Sequence, residues 1–364
     1  MGMRTFLQFA SMKPLPQFLL EDFNYYRRAA VNANSSIDPY QDRSIGTGFL
    51  YPPPALLIID TLRIVPNSPE FLEEALIIGL NMVLLGLIVY GVASLYHMSL
   101  ASTWWWYVLC FCFSPFLELQ LIGQINVITS MGIFLLFFYE MRQPILAGVG
   151  LALGVITKVT PLGFFGYLVI RKDWKTGLSA LAAIIVLCLL TVLRYGVNPF
   201  LNYLDVFQNI SSAFPNSGHS LISKIRFLFP VMPFGLEKLQ TGILVYFAIL
   251  LILSALLYLR NSSREPLFLL TALAISFSPN IMWYHHYVFI LLPMLILLGW
   301  SRNHFWITAW VFTVLMIIQV DRFFPAQGLM THIAVQLTIF GLLAWQILNS
   351  IKPKYAVNPL PTLR

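Results

Sequence analysis

The sequence predicts an all-α membrane protein built from many membrane-spanning helices. Its mean hydropathy is +0.77, 58% of its residues are hydrophobic and only 10% are charged, whereas about a quarter of the residues are charged in an ordinary soluble domain. Long apolar runs recur along nearly the whole chain, and roughly 20 apolar residues make a helix that can cross the hydrocarbon layer. The bilayer is therefore the solvent that this fold must satisfy.

Eleven apolar segments are candidate membrane spans. They are too regular for a cleaved signal peptide followed by a soluble domain. We predict a single membrane domain over residues 22–350, after a degenerate or truncated segment 1–21 and before a cytoplasmic tail at 351–364. The candidate spans, between which no internal repeat is visible, are 75–96, 104–117, 122–139, 144–157, 160–170, 177–195, 241–260, 266–279, 284–300, 304–320 and 331–350.

The distribution of Lys and Arg residues predicts which way the spans face. The short gaps between spans, such as 140–143, 171–175 and 260–265, carry a roughly threefold higher density of these residues than the long gaps. Because positively charged loops stay in the cytoplasm, the long loops at 22–74 and 196–240 are predicted to lie outside. The formal net charge of +7 then reflects membrane orientation, and we predict no nucleic-acid partner.

Two segments leave structural alternatives. The stretch 144–170 is either one long helix or a short helical hairpin with Lys158 near its outer tip. The long helix would bury Lys158 at a cost of roughly 3 kcal/mol, hold Pro161 in its interior and reverse the orientation upstream, so we favour the hairpin. The apolar stretch 55–65 is too short to span and contains Asp60, so we predict a helix that lies in the membrane interface.

The start of the chain lacks the helix that should precede an outer loop. Residues 1–21 contain Lys13, Pro14 and Pro16 and offer no run near 20 apolar residues. We expect that this helix has either been truncated from the sequence or been lost. An in-frame apolar helix in the upstream coding sequence would distinguish the two.

Unusual polar side chains gather at the predicted outer ends of the spans. Asp22 opens the first outer loop, and a carboxylate near the membrane boundary can act as a general base on a hydroxyl, although a solvated loop acid is the simpler alternative. Gln124 and Asn126 begin a span, where amides bind either sugar hydroxyls or a neighbouring helix. Three tyrosines are candidates for contacting or stacking on an acceptor, namely Tyr25, Tyr26 and Tyr51.

Cationic and imidazole side chains lie on the same predicted face. Lys158 at membrane depth can meet an anionic phosphate or can snorkel to the interface. His285 and His286 point about 100° apart on a helix, which is poor geometry for chelation and better suited to hydrogen bonding with phosphate or sugar beside Trp283. With no Asp-X-Asp motif and no ligand spacing among the cysteines, we predict no metal and no cofactor. The long outer loop either contacts phosphate or is a simple loop, and its candidate residues are Asn216, His219 and Arg226.

Read in order, these segments resemble glycosyltransferase family 87, the polyprenyl-phosphate-mannose-dependent mannosyltransferases. The similarity runs from about Asp22 to Pro293, and no single motif decides it. The matching pieces are Asp-Phe followed by tyrosines at 22–26, Asp-Pro-Tyr at 38–40, Tyr-Pro-Pro at 51–53, Gly-Gln-X-Asn at 123–126, a Lys near a Pro at 158–161, an Asn- and Ser-containing loop at 216–220 and Ser-Pro…Trp-X-His-His at 278–286.

The resemblance implies a GT-C fold with about twelve spans, one more than the sequence alone predicts. It implies that Asp22 is the catalytic carboxylate of the first outer loop and that His285 and His286 belong to the donor site. The sequence departs from the family in lacking a clear helix before Asp22. It also reads Asn-Ser-Gly-His from Asn216, where the family pattern is Asn-Gln-Ser.

The sequence-based hypothesis is an inverting hexosyltransferase of the cell inner or plasma membrane, with its site facing outward. The donor is a polyprenyl-phosphate sugar, with mannose implied only by the resemblance, and the acceptor is a lipid or a glycan. A transporter or lipid flippase is the rival, although such proteins often show inverted repeats and a midplane site. An inactive relative of the family is a third alternative.

Overall fold

The computed structural model describes residues 20–41, 48–63, 70–213, 248, 250–259, 264–277 and 284–300, together with 341, 344, 345 and 347. In this part of the chain all the regular elements are helices. They are α1 Glu21–Asn34, α2 Ala55–Leu62, α3 Glu70–Leu95, α4 Leu100–Phe111, α5 Ser114–Ile122, α6 Asn126–Tyr139, α7 Pro144–Thr157, α8 Phe164–Arg171, α9 Trp174–Tyr195, α10 Asn198–Ala213, α11 Leu250–Leu259, α12 Arg264–Phe277 and α13 Leu291–Trp300, with 3-10 helices at Thr160–Gly163 and Tyr284–Ile290.

Two helices of the described chain, α3 and α9, are long and apolar enough to cross a membrane. The pair α4–α5 would make a third span if it is counted as one helix bent by 59°. Helices α6, α7 and α11 are apolar but shorter. The prediction of an all-α, apolar protein is confirmed, whereas the count of eleven spans stays a prediction. The candidate spans 304–320 and 331–350 lie outside the described residues, apart from a few positions near 345.

The predicted span 104–117 is wrong as a single helix. Helix α4 ends at Phe111, and α5 begins at Ser114 with Pro115 in its first turn. A proline inside a continuous helix would remove a hydrogen bond and clash with the preceding turn, whereas the first turn needs no backbone donor. The chain therefore bends before Pro115, and residues 118–122 form the second half of α5.

The predicted hairpin at Lys158 is present. Helix α7 ends at Thr157, and Lys158 has an extended backbone with φ −161° and ψ 134°. The 3-10 helix and α8 then run back, so that the Arg171 guanidinium lies 3.3 Å from the Met141 sulfur, just before α7 begins. Pro161 occupies the start of the 3-10 helix, where a missing N–H costs little. One long helix over 144–170 is excluded.

Close packing of α6 on α7 brings their backbones together. A Cβ atom on Gly132 would lie 2.5 Å from the carbonyl oxygen of Gly150, so only glycine allows this approach. The Thr129 and Thr157 hydroxyls are hydrogen-bonded at 2.8 Å. The N-terminal part of α6 therefore lies beside the C-terminal end of α7 and beside Lys158.

The two ends of the helical bundle hold different charges. At one end, which we call the Glu140 end, the Arg264 guanidinium lies 3.2 Å from the Glu140 carboxylate, and Arg171 and Lys172 end α8 nearby. The described residues of the predicted gaps 140–143, 171–175 and 260–265 therefore meet at this end. The opposite end, which we call the Asp22 end, holds the start of α6 and the end of α7.

The two segments predicted as long outer loops contain helices. Residues 21–34 form α1, and α2 lies within the stretch predicted as an interfacial helix. These helices pack on each other through a hydrophobic cluster that includes Phe23, Tyr26 and Leu56. Helix α10 occupies the start of the loop 196–240, and the remainder of that loop lies outside the described residues.

Candidate active site

The turn between α5 and α6 holds the start of α1 in place. The backbone N–H of Leu20 donates a 2.7 Å hydrogen bond to the carbonyl of Leu121 at the end of α5. Gly123 has φ +71°, and a Cβ atom there would lie 2.7 Å from the Cβ of Phe23. Glycine is the residue that tolerates both this conformation and this contact. The first turn of α1, which contains Asp22, is therefore docked on the α5–α6 turn.

A chain of hydrogen bonds joins four of the predicted site residues. The Gln124 side-chain amide donates to the Asp22 carboxylate, and the Tyr51 hydroxyl donates to the Gln124 side-chain carbonyl. The hydroxyls of Tyr26 and Tyr51 are 3.1 Å apart. Because Tyr51 uses its single proton on Gln124, Tyr26 donates to Tyr51. We call these four residues the Asp22 network.

Asn126 adjoins the Asp22 network and has an unused donor. Its side-chain oxygen lies 3.4 Å from the Tyr51 hydroxyl, and the residue is fully buried. Its side-chain nitrogen is also buried and makes no hydrogen bond in the described structure. A buried donor without a partner costs about 1–3 kcal/mol, so this atom is a candidate contact for a polar ligand.

Burial changes the proton affinity of Asp22. Desolvation raises the pKa of Asp22 from 3.8 to about 6, the Gln124 hydrogen bond lowers it and the charge of Glu21 raises it. A carboxylate with this pKa is still mostly ionised at neutral pH and takes up a proton more readily than an ordinary aspartate, which suits a general base. Burial also raises the pKa of Tyr26 and Tyr51, so both hydroxyls stay protonated and can donate.

Several residues that support the Asp22 network were not singled out from the sequence. Asn81 of α3 is fully buried and donates to the backbone carbonyl of Gln124 at 2.9 Å and to the side chain of Gln120 at 3.1 Å. The Tyr40 hydroxyl donates to the backbone carbonyl of Tyr51 at 2.9 Å. Asn81 carried a usable signal, because an amide in the middle of an apolar span is rare and usually has a role.

A second group of candidate residues surrounds Phe289. The Lys158 ammonium lies 4.8 Å from the centre of the Phe289 ring, and the ring of His286 is 6.2 Å from the same ring. His285 and His286 are 4% and 6% exposed, and their rings meet edge to face at 4.5 Å. We call these four residues the Lys158 group.

Both groups pack on the same segment of the chain. The 3-10 helix that carries the two histidines packs against α5 and α6, and Gln124 and Asn126 lie at the junction of these two helices. The histidines were expected on an α-helix but lie on a 3-10 helix, where successive side chains diverge by about 120°. No set of three His, Cys, Asp or Glu side chains in the described chain could hold a metal ion.

Of the remaining predicted site residues, the structure describes Tyr25 and does not describe four others. The structure turns Tyr25 toward its own helix, where its hydroxyl donates to Glu21 at 3.3 Å and Arg28 lies 4.7 Å from its ring centre. Four predicted residues lie outside the described residues, namely Trp283, Asn216, His219 and Arg226.

Comparison with known proteins identifies the family. The chain matches the model of glycosyltransferase family 87 over residues 49–283. It is also 29% identical over 198 residues to a polyprenol-phosphate-mannose-dependent α-(1-2)-phosphatidylinositol mannoside mannosyltransferase of Mycobacterium tuberculosis. That similarity covers 50% of this chain and 43% of the relative, so the chain spans less than half of the relative's length. The family match, which covers well over half of the chain, shows that the protein belongs to glycosyltransferase family 87.

Proposed function

We propose that this protein is an integral membrane glycosyltransferase that transfers mannose from a polyprenyl-phosphate to a lipid or glycan acceptor. One observation carries the proposal. In a member of this family, a partly buried carboxylate with a raised pKa, Asp22, is docked on the α5–α6 turn, and the helix that carries His285 and His286 packs against α5 and α6 as well. Transfer from a sugar phosphate requires a base that activates the acceptor hydroxyl and a cation that stabilises the leaving phosphate.

Asp22 acts as the general base in this proposal. Its carboxylate accepts the proton of an acceptor hydroxyl, and the oxygen attacks the anomeric carbon of the donor sugar. The bond from that carbon to the phosphate oxygen breaks on the opposite face, so the configuration inverts and the phosphate leaves with the electron pair. General-base help of this kind contributes about 10²–10⁴-fold to the rate.

The Lys158 group stabilises the leaving phosphate. The Lys158 ammonium lies 4.8 Å from the centre of the buried Phe289 ring. An ammonium in such surroundings gains strongly from an anionic partner. His285 and His286 offer further donors, and a preorganised cation stabilises charge that develops in the transition state. Three residues of the loop 196–240, Arg226, Asn216 and His219, are proposed as further donor contacts, and Trp283 is proposed as a stacking surface.

In this proposal Asn126, which adjoins the Asp22 network, contacts the sugar. Its side-chain nitrogen, which has no partner in the described structure, donates to a sugar hydroxyl. Tyr25, near the start of α1, lies close in sequence to the base and is the tyrosine that lines the acceptor side. For the acceptor, the relative's name gives the first class to test, a phosphatidylinositol mannoside.

The outward orientation of the site rests on charge. The Glu140 end holds Arg142, Arg171 and Lys172, together with Arg264, and positively charged segments stay on the cytoplasmic side. The Asp22 end, and with it the proposed site, then faces away from the cytoplasm. Accessibility labelling of a cysteine introduced at exposed Ser36 would test this assignment.

A transfer assay in membranes tests the function. Membranes containing the protein are incubated with radiolabelled polyprenyl-phosphate mannose and candidate acceptors, and labelled product is separated from donor. We expect product with the wild-type protein and at least a hundredfold less with Asp22→Asn. A transporter would move label without forming product, and an inactive relative would do neither.

Asp173→Asn is the matched control for this assay. Asp173 caps α9 by accepting hydrogen bonds from the backbone and hydroxyl of Thr176 at 3.2 and 2.7 Å, and asparagine caps helices equally well. The control therefore makes the same chemical change elsewhere in the chain and should keep full activity. Most of the activity remaining in Asp22→Asn would remove Asp22 from the mechanism.

A further inference from the structure

We propose that Gln124 is the positioning residue of Asp22, and that the Tyr51 and Tyr26 hydroxyls lock the Gln124 amide in the orientation that supports the ionised carboxylate. This inference rests on the proposed function, in which Asp22 is the base. It gives Gln124 a role different from the sugar or phosphate contact that its residue type suggested. It also gives the two tyrosines a role other than stacking on an acceptor.

Both ends of the Gln124 side chain are engaged in hydrogen bonds. Its nitrogen donates to Asp22 and its oxygen accepts from Tyr51, and the residue is 5% exposed. A buried amide with both ends engaged has little capacity left to bind a sugar hydroxyl. Asn126 nearby differs, since its nitrogen has no partner in the described structure.

The hydrogen bonds of the Asp22 network can run in only one direction while Asp22 is ionised. An ionised carboxylate has acceptors only, so it needs the nitrogen of Gln124 and is repelled by the oxygen. The Tyr51 proton selects that orientation, because it binds the amide oxygen and keeps it turned away from Asp22. Tyr26 in turn donates to the Tyr51 oxygen, which leaves the Tyr51 proton for Gln124.

The backbone that carries the Gln124 side chain is held in place by its neighbours. Asn81 donates to the Gln124 carbonyl at 2.9 Å, and Gly123 packs directly on Phe23 beside Asp22. A hydrogen bond between groups that are already held in place loses less conformational entropy than one between mobile side chains. Gln124 can therefore orient Asp22 as well as stabilise its charge.

The charged groups around α1 do not replace this interaction. On α1 itself, Glu21 opposes the charge of Asp22, and Tyr26 is neutral. From α2 and α9, Asp60 and Arg194 pair with each other at 3.4 Å, and Asp60 contacts Asn34 at the far end of α1. Hydrogen bonding by Gln124 is thus the described contribution that favours the ionised form of Asp22.

The pH profile of transfer is the decisive measurement. The acid limb of kcat/KM reports the pKa of the essential base in the free enzyme. Gln124→Met removes the donor to the ionised carboxylate, so we expect the limb to move up by about one pH unit, which is a roughly tenfold loss of rate below the pKa and much less loss at pH 8. Tyr51→Phe should move the limb in the same direction by a smaller amount.

Gln120→Met provides the matched control. Gln120 lies one turn earlier, in α5, where it bonds to Asn81 and to the Ile78 carbonyl at 3.3 Å without contacting Asp22. The variant therefore loses a partly buried amide in the same region, and its acid limb should stay at the wild-type position. Equal acid limbs in wild type, Gln124→Met and Tyr51→Phe would overturn the proposal.

A second measurement needs no substrate. The difference in apparent melting temperature between each protein and its Asp22→Asn derivative, followed from pH 4 to 8 in detergent, reports the titration of Asp22. Its midpoint should lie at higher pH in the Gln124→Met background than in the wild-type or Gln120→Met background. An unchanged midpoint would overturn the positioning role. Full transfer by Asp22→Asn would instead overturn the base assignment, while the melting data would still decide the role of Gln124.

Discussion

The Asp22 end and the Glu140 end each contain a carboxylate bonded to neighbouring side chains, and their partners differ in charge. Glu140 accepts hydrogen bonds from Tyr167 at 2.7 and 2.9 Å and pairs with Arg264 at 3.2 Å. Asp22 accepts from the neutral amide of Gln124, and no cation contacts it among the described residues. A carboxylate neutralised by arginine joins helices together, whereas one held by neutral donors keeps a charge that can act on a substrate.

The cation at the Glu140 end is itself held in several ways. Arg264 donates to the Phe137 carbonyl at 3.0 Å, lies 4.4 Å from the centre of the Phe137 ring and contacts Glu265 at 3.3 Å. These contacts join α6 to α12 at the boundary of the bundle. The two ends are therefore expected to differ: changes at the Glu140 end should mainly lower stability, and changes at the Asp22 end should lower activity while altering stability less or raising it.

The largest expected stability effect is at Glu140. Glu140→Gln removes the buried charge that balances the partly buried Arg264, and breaking a buried pair costs about 3–5 kcal/mol, of which Glu265 can recover part. We expect a strongly lowered apparent melting temperature in detergent. Adding Arg264→Met should restore part of the loss, because the unpaired charge is then gone. Equal stability of Glu140→Gln and wild type would contradict a structural role for the pair.

Asp22→Asn should raise the stability of the protein above pH 6, by up to about 3 kcal/mol, whereas Glu140→Gln lowers it. The pKa of Asp22 in the folded protein, about 6, exceeds its usual value of 3.8, so the folded state binds the proton more tightly. Stability is thus greatest below about pH 4 and declines as the pH rises to about 6. The variant lacks this decline, so its melting temperature should exceed that of wild type above pH 6 and equal it below pH 4.

That pH dependence is the informative part of the measurement. A gain of the same size at pH 4 and at pH 8 would mean that it does not arise from ionisation of Asp22. A gain that appears only above pH 6 and accompanies lost transfer would identify Asp22 as a group that lowers stability while it supports activity, as active-site carboxylates commonly do.

The smallest of the three stability effects is expected at Gly123, where it should be accompanied by a loss of activity. Gly123→Ala places a methyl group 2.7 Å from the Phe23 Cβ at φ +71°, which costs about 1–3 kcal/mol and moves α1 away from Gln124. We expect reduced transfer together with a modestly lower melting temperature. Gly79→Ala on α3, where no atom of the described chain outside the local helix backbone lies within 4 Å of the new methyl, should leave both unchanged. Normal transfer by Gly123→Ala would show that Asp22 does not depend on this docking.

Sequence reasoning was most successful where hydrophobicity and single residues decide the structure. The helix at 144–157 was predicted with its observed bounds, because a proline begins it and a lysine follows its last apolar residue. The hairpin beyond it was predicted because a buried lysine and an interior proline are both costly. The span 104–117 was predicted wrongly, because the apolar run continues through Pro115 although the helix does not.

The partners within the candidate site were less predictable. Gln124, Asn126, Tyr26 and Tyr51 were all candidates by residue type, yet sequence spacing could not show that Tyr51, 73 positions from Gln124, donates to its side chain. Asn81 and Tyr40 were not singled out at all. Hydrogen bonds over such separations depend on how α1, α3 and the α5–α6 turn pack, and no local pattern encodes that packing.

By itself, the sequence determined that this protein is helical and apolar, that Lys and Arg are denser in its short gaps than in its long ones, and that it resembles the family to which it belongs. These properties follow from composition and local pattern, because burial in lipid selects helices and apolar side chains residue by residue. Only the tertiary structure decided that Gln124 faces Asp22 and that Arg264 faces Glu140. Direction and protonation of a hydrogen bond depend on both partners at once, and in this chain the partners are about a hundred residues apart.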